Sequence, residues 1–312
     1  MSEATKAISP SKPEKLNRSL WWVHSLMVLT TFFVASSFTV GKLIADSLPA
    51  NIMMLIRFLM AAGLFAPFIF FKHGSQLPTL KKLTAYALLS IPLVTFFWCM
   101  FEALKHTSAI NTGALFTTVP AMTAIFALII NGERSSNRKI VGLFLGILGA
   151  AWIIFRGNIT AAIALDLNQG DWIFLFGAVL LSLYNPLVKR VHSGEPTEVM
   201  TFWVIVFGAI WLLLLSLPSL KEIHWQSIPF EIYGGLLYLA LFTTLLSFFL
   251  LQLGTVKIGP TKVAAYGFLS PVFVLLITLL LGMTKFSISL LPGIILVFSA
   301  ILFIQAEETI QS

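Results

Sequence analysis

Between residues 22 and 305 the chain is a succession of apolar runs separated by short clusters of charge, proline or glycine, and several runs have no polar side. Leu143–Phe155 carries no charge at all, and Val272–Leu281 has Thr278 as its one polar residue. A helix that is apolar all round belongs in a protein core or in lipid. Long apolar windows place helices near 22–43, 52–71, 83–104, 112–130, 140–155, 172–188, 199–217, 232–253, 262–281 and 288–305. The same runs exclude the alternating strands of an outer-membrane barrel. With 58% hydrophobic and 11% charged residues, the chain lies far from the roughly 45–50% apolar and about 25% charged of soluble domains. The expected class is an all-α integral membrane protein with ten transmembrane helices.

A net charge of +7 would suggest nucleic acid in a soluble chain, but in a membrane chain it reports sidedness. With the N-terminus inside, Lys6, Lys12, Lys15, Arg18, Lys72, Lys81, Lys82, Arg134, Arg138, Lys139, Lys189, Arg190, Lys257 and Lys262 face the cytoplasm, 14 of the 20 basic residues. Lys42, Lys105, Arg156, Lys221 and Lys285 face outward, and Arg57 lies within the second run. The positive-inside rule then sets both termini in the cytoplasm of an inner, or plasma, membrane protein. The first run is longer than a signal-peptide core and is read as a helix. Nucleic acid is not an expected partner; membrane lipids and a small-molecule substrate are.

Slid against itself by 151 positions, the chain lays Ala103-Leu104-Lys105 over Gly254-Thr255-Val256, Pro120 over Pro271 and Gly142 over Gly293. Near an offset of 147, Lys42 falls on Lys189 and Pro49 on Pro196. Each half holds five helices. Five is odd, so the second copy enters the membrane from the opposite side, the inverted repeat found in secondary transporters with a site near the midplane. The expected division is a polar tail 1–21, a first repeat 22–156, a connecting loop 157–169, a second repeat 170–305 and a tail 306–312.

Ala103-Leu104-Lys105-His106-Thr107-Ser108-Ala109-Ile110-Asn111-Thr112-Gly113-Ala114-Leu115, then Pro120, Gly132-Glu133-Arg134, Gly142 and Gly149, resembles the EamA family of the drug/metabolite transporter superfamily. Gly254, Gly259-Pro260-Thr261, Ala264-Ala265, Leu269-Ser270-Pro271, Gly282 and Gly293 form the second copy. The resemblance implies a ten-helix carrier of small metabolites whose cavity is lined by helices 1, 3, 4, 6, 8 and 9, favouring amino acids or related compounds and export. The Gly-Glu that closes the fourth helix of such repeats is kept at Gly132-Glu133 and lost at Gly282-Met283.

Polar residues inside spans mark a cavity or glue helices together. Ser182, Asn185 and Lys189 share one face of the sixth helix beside Tyr184, and Lys262, Tyr266 and Ser270 share a face of the ninth. The cavity candidates are Ser37, Trp98, Asn111, Thr117, Tyr184, Asn185, Ser247, Gln252 and Tyr266. Glu102, Lys262, Pro120 and Pro271 are the candidates for gating or coupling, Glu102 being equally readable as an ion pair with Lys105 and His106 at a helix end. Arg57 is expected to snorkel to headgroups or to pair with Asp46. The Gly142-xxx-Gly146-xxx-Ala150 ridge packs within the chain or forms the seam of a homodimer.

No catalytic residue, metal site or cofactor is expected: the five histidines form no His-Glu-x-x-His pair, no phosphate loop is present, and the single Cys99 makes no disulfide. The function expected is a secondary transporter, not an enzyme. The alternatives are a membrane enzyme acting on lipid-like substrates and a non-transporting assembly protein.

Overall fold

The computed structural model describes residues 20–74, 77–155, 167–282 and 287–306. Nearly all of both expected tails and most of the 157–169 loop lie outside the described residues, as do Lys6, Lys12, Lys15, Arg18, Arg156 and Lys285.

Among the described residues the chain is helical and contains no strand. The first repeat comprises α1 (Trp21–Ile44), α2 (Ala50–His73), α3 (Leu80–His106), a broken α4 and α5 (Asn137–Ile154). The second comprises α6 (Gln169–Val191), α7 (Thr197–Ser216), a distorted α8, a broken α9 and α10 (Leu291–Gln305). With the 3-10 turn Ile288–Leu290 counted into α10, nine spans among the described residues are at least 18 residues long and apolar enough to cross a membrane, and α5, at 18 residues, completes ten. Several helices outrun the apolar windows. Thus α3 extends past 83–104 to include Lys81, Lys82, Lys105 and His106, whose stems can lie on apolar surface while their heads reach water.

The repeat is visible in the packing. α1 packs on α8 and α9, and its counterpart α6 packs on α3 and α4. The α2–α8 contact is matched by α7–α3, while α2 with α7, α4 with α9 and α5 with α10 pair across the axis with their own counterparts. This is the contact pattern of two five-helix units related by a pseudo-two-fold axis. Short connections make successive helices antiparallel, so an odd number of them inverts the second unit.

α4 consists of Ala109–Leu115, a 3-10 turn Phe116–Thr118 and Val119–Asn131. α9 consists of Pro260–Ala265, a 3-10 turn Tyr266–Leu269 and Ser270–Leu280. Both breaks have the same cause. Pro120 has no N–H to give the Phe116 carbonyl, so the Val119 N–H takes that oxygen in a tighter turn. Before Pro271, the Ser270 N–H likewise donates to Gly267. The two breaks occupy equivalent repeat positions.

α8 departs from the α-helix in the other sense. Its turns Phe230–Tyr238 and Ser247–Ile258 flank a π-helical stretch, Leu239–Leu246. The position 151 residues earlier than Thr243 is Pro92, which lies inside the continuous α-helix α3.

Glycine sets the closest approach of α5 and α10. A Cβ on Gly149 would meet the Gly293 carbonyl oxygen at 2.8 Å, and one on Gly142 would meet Ile304 at 2.6 Å. The Gly142 ridge is therefore spent within the chain. Helix ends are closed locally: Gly132, at φ 70°, lets the Glu133 N–H reach back to the Ala127 carbonyl, the Schellman arrangement. Gly282 keeps the same left-handed backbone at φ 69°, although no Glu follows it. Asn168 and Asp171 form a reciprocal capping box at the start of α6. Asp171 is buried and accepts a 2.7 Å hydrogen bond from Thr107 Oγ1.

Candidate functional site

Gly74, residues 77–79, 132–136 and 192–196, together with Gly259, lie at one end of the bundle. With them lie Lys72, Lys81, Lys82, Arg134, Arg138, Lys139, Lys189, Arg190, Lys257 and Lys262; this end is called the positive face. Lys42, Lys105 and Lys221 are the described lysines toward the other face.

In the half of the bundle toward the positive face lies a cavity with about 430 Å³ of empty space, its mouth included. Its walls are Met27, Thr30, Thr31 and Val34 of α1, Phe116 and Val119 of α4, Leu181 and Asn185 of α6, Leu251 of α8, and Val263, Ala264 and Gly267 of α9. Both helix breaks contribute, through Phe116 and Gly267. The cavity is thus set on the pseudo-two-fold axis, between the halves.

The lining is apolar apart from three residues and carries no charged side chain. Thr30 and Thr31 spend their hydroxyl protons on the Leu26 and Met27 carbonyls, at 2.8 and 2.9 Å, and so offer lone pairs to the cavity. Asn185 is 2% exposed, and its Oδ1 has no hydrogen-bond partner. A buried amide oxygen left unpaired carries a desolvation penalty of about 1–3 kcal/mol.

Aromatic rings close the cavity away from the positive face. Phe38 of α1, Phe96 of α3, Phe116 of α4 and Phe174 of α6 form a closed cycle: Phe38 lies 5.5 Å from Phe116 and 6.0 Å from Phe174, and Phe96 lies 6.3 and 6.1 Å from the same two rings. Phe116 belongs to both the layer and the cavity wall. α3 therefore reaches the site through this layer and does not line the cavity, which corrects the expected set of lining helices.

Of the cavity candidates read from the sequence, Asn185 lines the cavity. Tyr184 stands beside it with its hydroxyl 2.6 Å from Gln252 Nε2, and Gln252 Oε1 accepts from Thr201 Oγ1 at 2.7 Å. Tyr184 and Gln252 are fully buried and tie α6, α7 and α8 together. Thr117 is buried in the 3-10 turn between two lining residues. Tyr266 shares a 2.7 Å hydrogen bond with His24 Nδ1, joining the break in α9 to α1 one residue from the lining Gly267. Four candidates sit elsewhere. Ser37 is buried with its hydroxyl on the Val34 carbonyl, Ser247 bonds the Phe242 carbonyl, Trp98 packs against the main hydrophobic core, and Asn111 is exposed at the start of α4. A polar side chain in a span can satisfy itself on its own helix, and these two serines do so.

Among the gating candidates, Pro120 and Pro271 make the breaks described above. Lys262 immediately precedes the lining Val263, and its carbonyl accepts from Gln305 Nε2 at 2.9 Å. Glu102 is paired with Lys105 at 2.7 Å and lies 3.8 Å from His106, at the end of α3 away from the positive face.

Arg57 overturns its sequence reading. It is fully buried, and none of the ion pairs among the described residues includes it. Its Nε donates to Thr244 Oγ1 at 2.5 Å, and its Nη2 donates to Thr243 Oγ1 at 2.7 Å and to the Thr243 carbonyl at 3.1 Å. The guanidinium lies over Phe97 at 4.4 Å and near Phe101 at 5.8 Å. Its partners are 186 and 187 positions away in the other repeat, which is why spacing along α2 gives no sign of them.

Among the described residues three lysine–glutamate pairs join the repeats at the positive face: Lys72 with Glu198 at 2.8 Å, where His73 also lies 3.1 Å from the carboxylate, Lys82 with Glu195 at 3.1 Å and Lys189 with Glu133 at 2.7 Å. The last explains why a Glu follows Gly132. Glu195 also accepts from Tyr86 and from the Ser193 N–H and hydroxyl. Partial burial pushes its carboxyl up, but its own backbone N–H, Lys82 and Ser193 together outweigh that and hold it at about 2.

The profile of the EamA-like transporter family matches this chain twice, over residues 21–155 and 168–306. An uncharacterized transporter of Bacillus subtilis, YyaM, is 26% identical over 283 residues, covering 90% of this chain and 92% of its own length. An uncharacterized transporter of Archaeoglobus fulgidus is 27% identical over 251 residues, covering 80% and 86%. A solved crystal structure shares the fold with a TM-score of 0.71 at 16% identity, over 89% of this chain and 94% of that one.

Proposed function

We propose, from the premise that the chain belongs to the EamA-like transporter family, that it is a secondary carrier moving a small organic metabolite across the plasma membrane by alternating access. The observation that carries this reading is the cavity on the pseudo-two-fold axis, walled by both helix breaks and roofed on one side by four aromatic rings. In the opposite state the same axis relates the halves with their roles exchanged: the roof parts, and the positive-face half closes.

The surplus of lysine and arginine on the positive face supports a cytoplasmic side for it and for both termini. The cavity is then loaded from the cytoplasm, which supports export. An amino acid or a related compound is the cargo this reading favours. The cavity's largely apolar wall and free acceptors suit an apolar body with hydrogen-bond donors. Pro120 and Pro271 serve as the bends about which the halves rearrange, and Lys262 stands at the cytoplasmic mouth. Glu102 is the carboxylate available for coupling at the outer end, and proton coupling through it is weak at most, since its charge is already matched by Lys105.

The test is counterflow in proteoliposomes against a panel of amino acids, amines and amides at two pH values. Saturable exchange of one chemical class is the expected result. No flux for any compound, from protein that remains folded, contradicts the carrier.

A further inference from the structure

We infer that Arg57 is a positioning residue that holds α8 in its π-helical register and thereby selects which α8 side chain faces the cavity. A π-helix closes its hydrogen bonds from i to i+5, one residue more than the α-helix. The chain beyond it is turned by about one residue, or about 100°, relative to an uninterrupted α-helix. Leu251 lies five residues beyond the end of the π stretch and lines the cavity, whereas its neighbour Leu250 is buried in the core.

The π register has a visible clamp. The Ser247 N–H is shared between the Phe242 carbonyl, five residues back, and the Thr244 carbonyl, and does not reach the Thr243 carbonyl that an α-helix would use. That carbonyl receives Arg57 Nη2 instead, while Nε and Nη2 also bind the Thr244 and Thr243 hydroxyls. Thr244 and Ser247 hydroxyls in turn donate to carbonyls five residues back, at Leu239 and Phe242. π-helical turns are rare and poorly bonded, and they persist where something outside the helix holds them. Here the outside group is a buried guanidinium with no acid beside it, brought from the other repeat.

The consequence follows from helix geometry. With the amino-terminal half of α8 fixed, relaxing the π stretch to an α-helix advances every later residue by one position. Leu250 then takes the cavity direction that Leu251 holds now. Leu251 takes the direction of Gln252, toward Tyr184 and Thr201, and the hydrogen bonds of Gln252 are lost. Deleting one residue from the π stretch also makes the helix regular, but leaves Leu251 where it is.

The test needs no knowledge of the transported molecule. In a Cys99→Ser background, single-cysteine variants Leu250→Cys and Leu251→Cys are labelled with a small maleimide in the full-length protein in liposomes. With Arg57 present, the thiol at 251 reacts and the thiol at 250 is protected by about tenfold, as expected of a thiol in the core against one at a cavity. Arg57→Met exchanges the two reactivities, and removing Leu241 in the Arg57→Met protein restores the original order. A merely structural Arg57 loosens both sites together and is not rescued by a deletion. Arg57→Met that elutes as a folded species with the original order overturns the inference, and so does failure of the deletion to restore it. Should Arg57→Met not fold, Thr243→Ala with Thr244→Val removes the clamp's hydroxyls and is expected to exchange the reactivities; an unchanged order again overturns it.

Discussion

Asn185 has the strongest claim on substrate contact because the residue lines the cavity and its amide oxygen is buried and unpaired. Replacing it with a similar-sized apolar group removes an unsatisfied acceptor, so Asn185→Leu is expected to hold or raise the unfolding temperature, by up to about 1–3 kcal/mol of stability, while abolishing counterflow. A less stable protein with normal counterflow contradicts that role. Glu102→Gln is expected to leave the rate and pH profile of transport unchanged, because the carboxylate is neutralised at a helix end and stands apart from the cavity. A shifted profile would make it a coupling group after all. For Glu195 the sign is fixed by its lowered carboxyl. Its stabilising contribution is complete above the ordinary value of 4.5 and is lost as pH falls through about 2. Acid unfolding followed by circular dichroism checks this, with Glu195→Gln expected to flatten the loss across that window. The polar residues as a class were legible in the sequence, but their partners were not. Gln252 reads as a cavity donor until Tyr184 and Thr201 are seen to occupy both ends of its amide. Arg57 reads as interfacial until hydroxyls from the other repeat surround it.

Among elements, the broken helices were half-legible. Pro120 over Pro271 announces a shared irregularity, and its 3-10 form follows from one missing N–H in each helix. Pro120→Ala and Pro271→Ala each restore the possibility of a regular turn. Each is expected to stabilise the protein only slightly, since each proline stands in the first turn of its segment, where it is tolerated, and to slow counterflow. Stability that rises with no change in rate would show that the breaks are ordinary curvature. The π stretch of α8 has no comparable sequence signal, since Leu239–Leu246 is as apolar and as free of glycine and proline as any regular span. The glycine ridge of α5 was legible as a contact surface, and the structure supplies its partner in α10. Gly149→Leu places a side chain against the Gly293 carbonyl and the Leu296 side chain, and is expected to cost at least about 1–3 kcal/mol, read as a lower unfolding temperature in detergent.

At the scale of the whole molecule, the duplication explains most of the design. Two copies of a five-helix unit, inverted by their odd number, pair α2 with α7, α4 with α9 and α5 with α10 across one axis and leave a cavity on it. The two inverted copies followed from a shift of 151 positions and from membrane thickness, because hydrophobic period and repeat length are properties of the chain alone, whereas the helix pairings did not. What did not follow is the asymmetry. The aromatic roof and the cavity make one side of the molecule closed and the other hollow, a choice between two states that share one sequence. The most direct test of the central claim is therefore the access of a single thiol in that cavity from each side of the membrane. In Cys99→Ser, Thr31→Cys protein oriented in liposomes and supplied with a mixed load of amino acids and amines, a membrane-impermeant thiol reagent is added inside or outside. The account predicts labelling from both sides, one at a time, in proportions that shift with the load. Labelling from one side only, whatever the load, would contradict it.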